Sequence, residues 1–328
     1  MQDFKQTITD FPKQFEIGFE LAKDIRFAEK PKNIIFCGMG GSIIPVEILL
    51  LYLDVSPIVS LLPPLNFHIH RDYGLPDWAN RKDLAICISW SGGTEETLSS
   101  YKAAGEKGLP LIVLTKGGKI GELAQKDGIP LILLPRDDIP PRMGAGYMFS
   151  ALYSVLAKSG IIEAQTNLIE DIGNKIKIGD FEKKAEELAK EINNKTPLIY
   201  SSYKWRNLAA FWKIFFNENA KIHAFWNGFP SMAHQELAGF NERDNEKFFV
   251  ISLLDKADDN RYQLSVGSFR RILQSLKYND EIIFLNGNDP LEKIFNNYLF
   301  AALTSAHLAQ LRGVDPAEAE LIEEFKKM

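Results

Sequence analysis

Between residues 33 and 285 the chain repeats one unit: a short, mostly apolar run, a turn of small residues, then a helical segment. Such a run has no alternating polar face, so the strand it forms is covered on both sides, as in a parallel sheet flanked by helices. The first half places strands at 33–37, 57–62, 84–88, 111–114 and 131–134, with helices over 43–53, 98–104, 120–126 and 147–159. The pattern restarts with strands at 198–201, 221–225, 248–253 and 282–285 and helices over 205–216, 261–277 and 291–312. Each half opens with strand, small polar turn, helix and strand, which predicts a duplicated α/β domain.

The expected organisation is a helical lead-in over 1–30, a first domain over 31–160, a charged linker helix over 161–190, a second domain over 191–313 and a tail over 314–328. The chain has 328 residues, 45% hydrophobic and 25% charged, within the range of globular proteins. A net charge of -5 and a pI near 5.7 argue against a nucleic-acid partner. Residues 1–30 carry Asp, Glu and Lys throughout and no signal-like apolar core, and no run is long enough to span a bilayer. No membrane partner and a cytoplasmic location are expected. Cys37 and Cys87 fall inside expected strands and read as reduced, buried apolar residues rather than a disulfide or a metal pair.

Ser89-Trp90-Ser91-Gly92-Gly93-Thr94-Glu95-Glu96-Thr97 lies where the 84–88 strand gives way to a helix. Helix-start N–H groups are unpaired and carry partial positive charge. The hydroxyls of Ser89, Ser91, Thr94 and Thr97 add donors, and glycine lets the backbone close on a guest. The loop therefore reads as an anion cradle, with phosphate as the natural ligand. A plain N-cap is the other reading, but a cap needs one hydroxyl where this loop has four. The equivalent turn of the second half, Asp255-Lys256-Ala257-Asp258-Asp259, has no such cluster, so one phosphate site per chain is expected.

Four further segments carry candidate chemistry. Gly38-Met39-Gly40-Gly41-Ser42 follows a strand and opens a helix. It lacks the third glycine of a dinucleotide fingerprint, and no Gly-Lys-Ser/Thr loop occurs, so a turn along a sugar is the alternative to nucleotide binding. Arg142 sits between Pro141 and a glycine-bearing turn, either at a strand-end site or at the surface. Glu218 ends a helix, where a carboxylate opposes the dipole, which suits a role other than helix stability; plain exposure is the other reading. Among five histidines, His68 and His70 read as loop residues, His223 as strand and His307 as helix. His234, beside Gln235 and Glu236, is the best titrating candidate. No cluster has metal-ligand spacing.

Taken in order, Gly-Met-Gly-Gly-Ser, the Ser/Thr loop, Pro-Arg-x-x-x-Gly-Tyr, Asn-Glu-Asn-Ala-Lys and His-x-Glu resemble the bifunctional phosphoglucose/phosphomannose isomerases, which carry two sugar isomerase (SIS) domains. The resemblance runs from about residue 30 to the C-terminus. It implies two α-β-α sandwiches, each a mostly parallel sheet, and interconversion of glucose 6-phosphate and mannose 6-phosphate with fructose 6-phosphate, without metal or organic cofactor. It also implies a homodimer in which His234 serves the neighbouring subunit's site. By the resemblance, Ser89, Ser91, Thr94 and Thr97 hold the phosphate, and Gly40, Gly41 and Ser42 lie along the sugar. Glu218 matches the base, Arg142 the residue that stabilises the enediolate, and His234 with Lys326 the ring-opening groups; Lys327 is adjacent. The chain departs from the family at Ala233 and Gln235, which replace Asn on either side of the histidine, at Gly93, where Asn is usual, and at Trp90, where Tyr is frequent. A phosphosugar sensor without turnover is the alternative, though Glu218 and His234 speak against it. An amidosugar-phosphate enzyme would need a glutaminase domain with an N-terminal cysteine, which the chain lacks.

Overall fold

Residues of the central strands are buried on both faces, and that sets the architecture. The computed structural model describes residues 4–27, 29–56, 65–135, 138–163, 167–326 and 328. The elements in chain order are α1 (Phe4–Asp10), α2 (Gln14–Leu21), β1 (Asn33–Gly38), α3 (Ile44–Val55), β2 (Asn66–His70), β3 (Leu84–Ser89), α4 (Glu95–Lys107), β4 (Leu111–Thr115), α5 (Gly118–Asp127), β5 (Leu131–Leu133), α6 (Ala145–Lys158) and α7 (Leu168–Lys175). There follow α8 (Glu182–Ile192), β6 (Thr196–Ser202), α9 (Arg206–Ala220), β7 (Phe225–Phe229), β8 (Phe248–Leu254), α10 (Asn260–Ser275), β9 (Asn279–Phe284), α11 (Pro290–Arg312) and α12 (Glu320–Phe325). Two compact units result, one formed by Asp10–Lys175, the other by Ile176–Met328 together with α1 up to Thr9.

The first unit holds a five-stranded parallel sheet, β2-β1-β3-β4-β5. Ile35, Cys37, Ala85, Cys87 and Val113 cover one face and pack with Tyr101 and Ala104 of α4 and Ile120 and Ala124 of α5. The alternate residues Ile34, Phe36, Ile86 and Ile88 are equally buried, so both faces are covered. Cys37 and Cys87 are free and stand directly opposite each other in the pairing of β1 with β3. Their mutual hydrogen bond and burial push the Cys87 thiol well above its ordinary range.

The second unit repeats the order in four parallel strands, β7-β6-β8-β9. Tyr200, Val250, Phe269 and Leu273 form the core between its sheet and α10. Helix α11 is buried from Leu291 almost to its end, and α8 and α9 pack on it. Trp212 Nε1 donates to Asn297 Oδ1 (2.9 Å) and Asn219 Nδ2 to Ser305 Oγ (2.8 Å), satisfying polar groups between α9 and α11. Within the charged stretch 161–190, α7 belongs to the first unit and α8 to the second, and α8 turns Ala185, Leu188, Ala189 and Ile192 inward.

Two expectations change, and a third falls outside the described residues. His68 and His70 lie in strand β2, not in a loop; β2 is a sheet edge, where a half-buried strand tolerates polar residues. His223 lies ahead of β7, not inside it: Lys221 takes a left-handed conformation (φ 55°) after α9, and pairing with β6 begins only at Phe225. The expected strand at 57–62 lies outside the described residues. Among the described residues no helix is long and apolar enough to cross a membrane.

Candidate active site

In the first unit three turns meet: the Ser/Thr loop after β3, the Gly40–Ser42 turn after β1 and the Pro141–Gly144 turn between β5 and α6. The Ser/Thr loop leaves β3 at Ser89. Ser89 Oγ and Thr94 Oγ1 share a hydrogen bond of 2.9 Å, and Gly92 N donates to Ser89 Oγ (3.0 Å). Thr94 holds the N-cap position of α4, yet its side chain accepts no bond from that helix. The capping reading of the loop is therefore not realised by Thr94. Thr97 Oγ1, in the first turn, is buried with no partner among the described residues. A buried hydroxyl left without a partner costs about 1–3 kcal/mol when dry. Ser91 is exposed at the mouth of the loop.

Gly92 closes this loop on its neighbour. Its φ is 75°, and a Cβ there would stand 1.8 Å from Gly117 O, so only glycine fits. Ile120 N donates to Gly92 O (2.9 Å), tying the start of α5 to the cradle.

The Gly40–Ser42 turn caps β1 with Gly40 in a left-handed conformation. Ser42 is buried, and its Oγ accepts Trp90 N–H at 3.0 Å, leaving the hydroxyl proton as a donor. Gly41 lies against the third turn, Pro141–Gly144: a Cβ at 41 would come within 2.7 Å of Arg142 N. Arg142 itself is 1% exposed. Gln14 of α2 stabilises this turn from beneath. Its Nε2 donates to Met143 O (2.8 Å), and its Oε1 accepts from Gly146 N (3.1 Å) at the start of α6. Gln14 and Trp90 were not identified as site-supporting residues from the sequence; one glutamine in an amphipathic helix gives no sign of a turn 129 residues away.

The second unit carries the other candidates on separate elements. Glu218 is half-buried in the last turn of α9, and its carbonyl accepts from Lys221 Nζ, which also donates to Glu318 O (2.6 Å). His234 is exposed at the end of a short 3-10 turn, Ser231–His234, after β7. Its neighbour Glu236 accepts from Asn227 Nδ2 (3.0 Å). Lys326 follows α12 and pairs with Glu323 (2.6 Å). Of the candidates, the structure brings together Gly40–Ser42, the Ser/Thr loop and Arg142, all in the first unit. Among the described residues no group of three or more His, Cys, Asp or Glu forms a metal-binding cluster.

Residues 181–328 match the family model described as the bacterial phospho-glucose isomerase C-terminal SIS domain. The chain is 31% identical to a bifunctional phosphoglucose/phosphomannose isomerase of Aquifex aeolicus, over 100% of this chain and 98% of the relative. A protein of the same name from Caldicellulosiruptor bescii is also 31% identical, over 98% and 97% of the two chains. In fold, the chain superposes on a hypothetical protein of Thermus thermophilus with a TM-score of 0.78 at 15% identity, covering 99% of this chain and 89% of that one. On the full-length identity, and on two parallel α/β units that carry the motifs in order, the chain belongs to the bifunctional phosphoglucose/phosphomannose isomerase family.

Proposed function

We infer that this chain is an aldose–ketose isomerase of hexose 6-phosphates, interconverting glucose 6-phosphate and mannose 6-phosphate with fructose 6-phosphate. The observation that carries this reading is the match to isomerases of that name over the whole length of both chains. It favours an enzyme over a sensor built on the same fold.

The Ser89, Ser91, Thr94 and Thr97 hydroxyls and the start of α4 take the phosphate, and the Thr97 hydroxyl, unpartnered among the described residues, supports this. Gly40, Gly41 and Ser42 line the sugar. His234 and Lys326 pass protons that open the ring, exposing an aldehyde at C1. Glu218 removes the proton from C2, and the electron pair moves through the C1–C2 bond onto O1, giving a cis-enediolate. Arg142, always charged, stabilises that oxygen. The O2 proton passes to O1, and Glu218 returns its proton to C1, leaving the ketose. The phosphate, remote from C1 and C2, contributes binding energy that aligns them. The reaction uses neither metal nor organic cofactor. The enzyme works in the cytoplasm as a homodimer, with His234 supplied by the neighbouring subunit.

The test is a coupled assay with each aldose phosphate, on the wild type and on Glu218→Gln. Removing a positioned base lowers kcat by about 10²–10⁴-fold. Absence of wild-type turnover on both sugars refutes the reaction, and an unaffected variant refutes the base. For the shared site, Glu218→Gln and His234→Ala subunits are mixed under exchange; activity returns only if each site draws on two chains. Activity should survive EDTA.

A further inference from the structure

Trp90 belongs to the Ser/Thr loop but contributes no hydroxyl, and it touches each of the neighbouring turns of the first unit. Its N–H donates to Ser42 Oγ at 3.0 Å, and its carbonyl accepts Lys116 N–H at 3.2 Å. Lys116 Nζ stands 5.2 Å from the indole centroid, within cation–π range. The indole is 4% exposed, and its benzo edge fills the space left by Gly144: a Cβ at 144 would lie 2.2 Å from Cζ3 and 2.3 Å from Cη2. Gly144 ends the 3-10 turn that carries Arg142. One ring thus stands between the phosphate loop and the arginine turn, held at the backbone by Ser42 and at its face by Lys116. Nε1 of the indole is buried without a partner among the described residues. The atoms against Gly144 belong to the outer edge of the benzo ring, which a phenyl ring lacks, so the reach of the indole, and not burial of apolar surface alone, fits tryptophan to this position.

We propose that Trp90 is a positioning residue whose indole fixes the spacing between the phosphate loop and the turn that presents Arg142. The proposal rests on the roles assigned above to the loop and to Arg142. In a substrate spanning both, the phosphate sets one end and the developing enediolate the other, so a shift of one turn against the other misaligns C1 and C2 without weakening the phosphate anchor. Alignment errors of that size cost turnover rather than anchoring.

Two probes separate these ends without needing turnover. Inorganic phosphate reports the loop alone; 6-phosphogluconate carries a phosphate and, at the other end, a carboxylate in place of the enediolate charge. In calorimetric titrations Trp90→Ala should bind inorganic phosphate within about twofold of the wild type and 6-phosphogluconate about tenfold more weakly, with kcat falling more than KM rises. Gly144→Ala, which pushes the indole from the other side, should reproduce that split. Trp90→Phe/Gly144→Ala, with a smaller ring beside the new methyl, should recover most of the loss, since the two residues are coupled.

Equal weakening of both probes in Trp90→Ala, or no weakening of either, overturns the proposal. So does a Gly144→Ala defect that persists when Trp90→Phe is added to it. If Trp90→Ala does not fold, the comparison of Gly144→Ala with the double variant decides alone. A wild type that binds both probes and isomerises nothing refutes the proposed reaction, while the probe comparison still judges Trp90. A wild type that binds neither overturns both.

Discussion

The two units cross from strand to helix at the same place in their sheets and fill that place in opposite ways. β3 and β8 each lie beside the opening strand of their sheet, and each is followed by a helix on one face. In the first unit the crossing is built of hydroxyls and glycines, with one hydroxyl unpartnered among the described residues. In the second it is Asp255 to Asp259, and the chain provides its own anion. Asp258 Oδ2 accepts from Ser202 Oγ (2.9 Å) at the end of β6 and from Asp255 N (3.3 Å). Asp255 is paired with Lys293 of α11 at 2.8 and 2.9 Å. The second unit fills its crossing with carboxylates of its own, whereas the first has no acidic side chain before Glu95 and is the place proposed for the phosphate.

Writing the second solution into the first should have the largest effect. Thr94→Asp puts a carboxylate where the phosphate is proposed to sit; at about 4 Å and an effective dielectric of about 20, that repulsion is worth about 4 kcal/mol, or about a thousandfold in KM for glucose 6-phosphate. Steady-state kinetics with an unchanged melting temperature would show it. Next, Asp255→Asn leaves Lys293 a mostly buried cation without its partner, and a loss of about 3 kcal/mol in urea unfolding is expected. Thr97→Val separates stability from binding. It removes an unpartnered buried hydroxyl, so stability should hold or rise, while phosphate affinity falls about tenfold.

The smallest effect concerns Asp258. Burial raises its carboxyl above the usual carboxylate value of 3.8, against the pull of Ser202. A raised native pKa means that the folded state binds the proton more tightly. The resulting stability is fully present below the unfolded value and is lost as pH rises through the native one. Asp258→Asn should therefore raise Tm by about 1–3 °C at pH 7, and the gain should shrink to nothing in acid. A constant difference across pH would mean that packing, not charge, distinguishes the crossings.

The doubly covered strands were legible because runs such as Ile34-Ile35-Phe36-Cys37 have few other ways to be buried. The clustering of hydroxyls at the end of β3 was legible because four of them in nine residues exceed what a cap uses. Two of the edge strands were not: Asn66-Phe67-His68-Ile69-His70 alternates, but its polar residues masked the signal, and β7 begins late because a left-handed Lys221 delays pairing. Long-range supports such as Gln14 under the Arg142 turn depend on tertiary contacts that local pattern does not encode.

Helix α1 has a consequence for synthesis. Phe4 and Ile8 are buried, Lys5 pairs with Glu182 at 3.0 Å, and the segment up to Thr9 belongs with Ile176–Met328. Ribosomes make α1 well over a hundred residues before the helices it docks on. The first unit can close as soon as α7 has emerged, whereas a helix at the front of the chain that buries Phe4 and Ile8 must wait until α8 arrives. In the growing chain, those two side chains stay exposed until their partners are made.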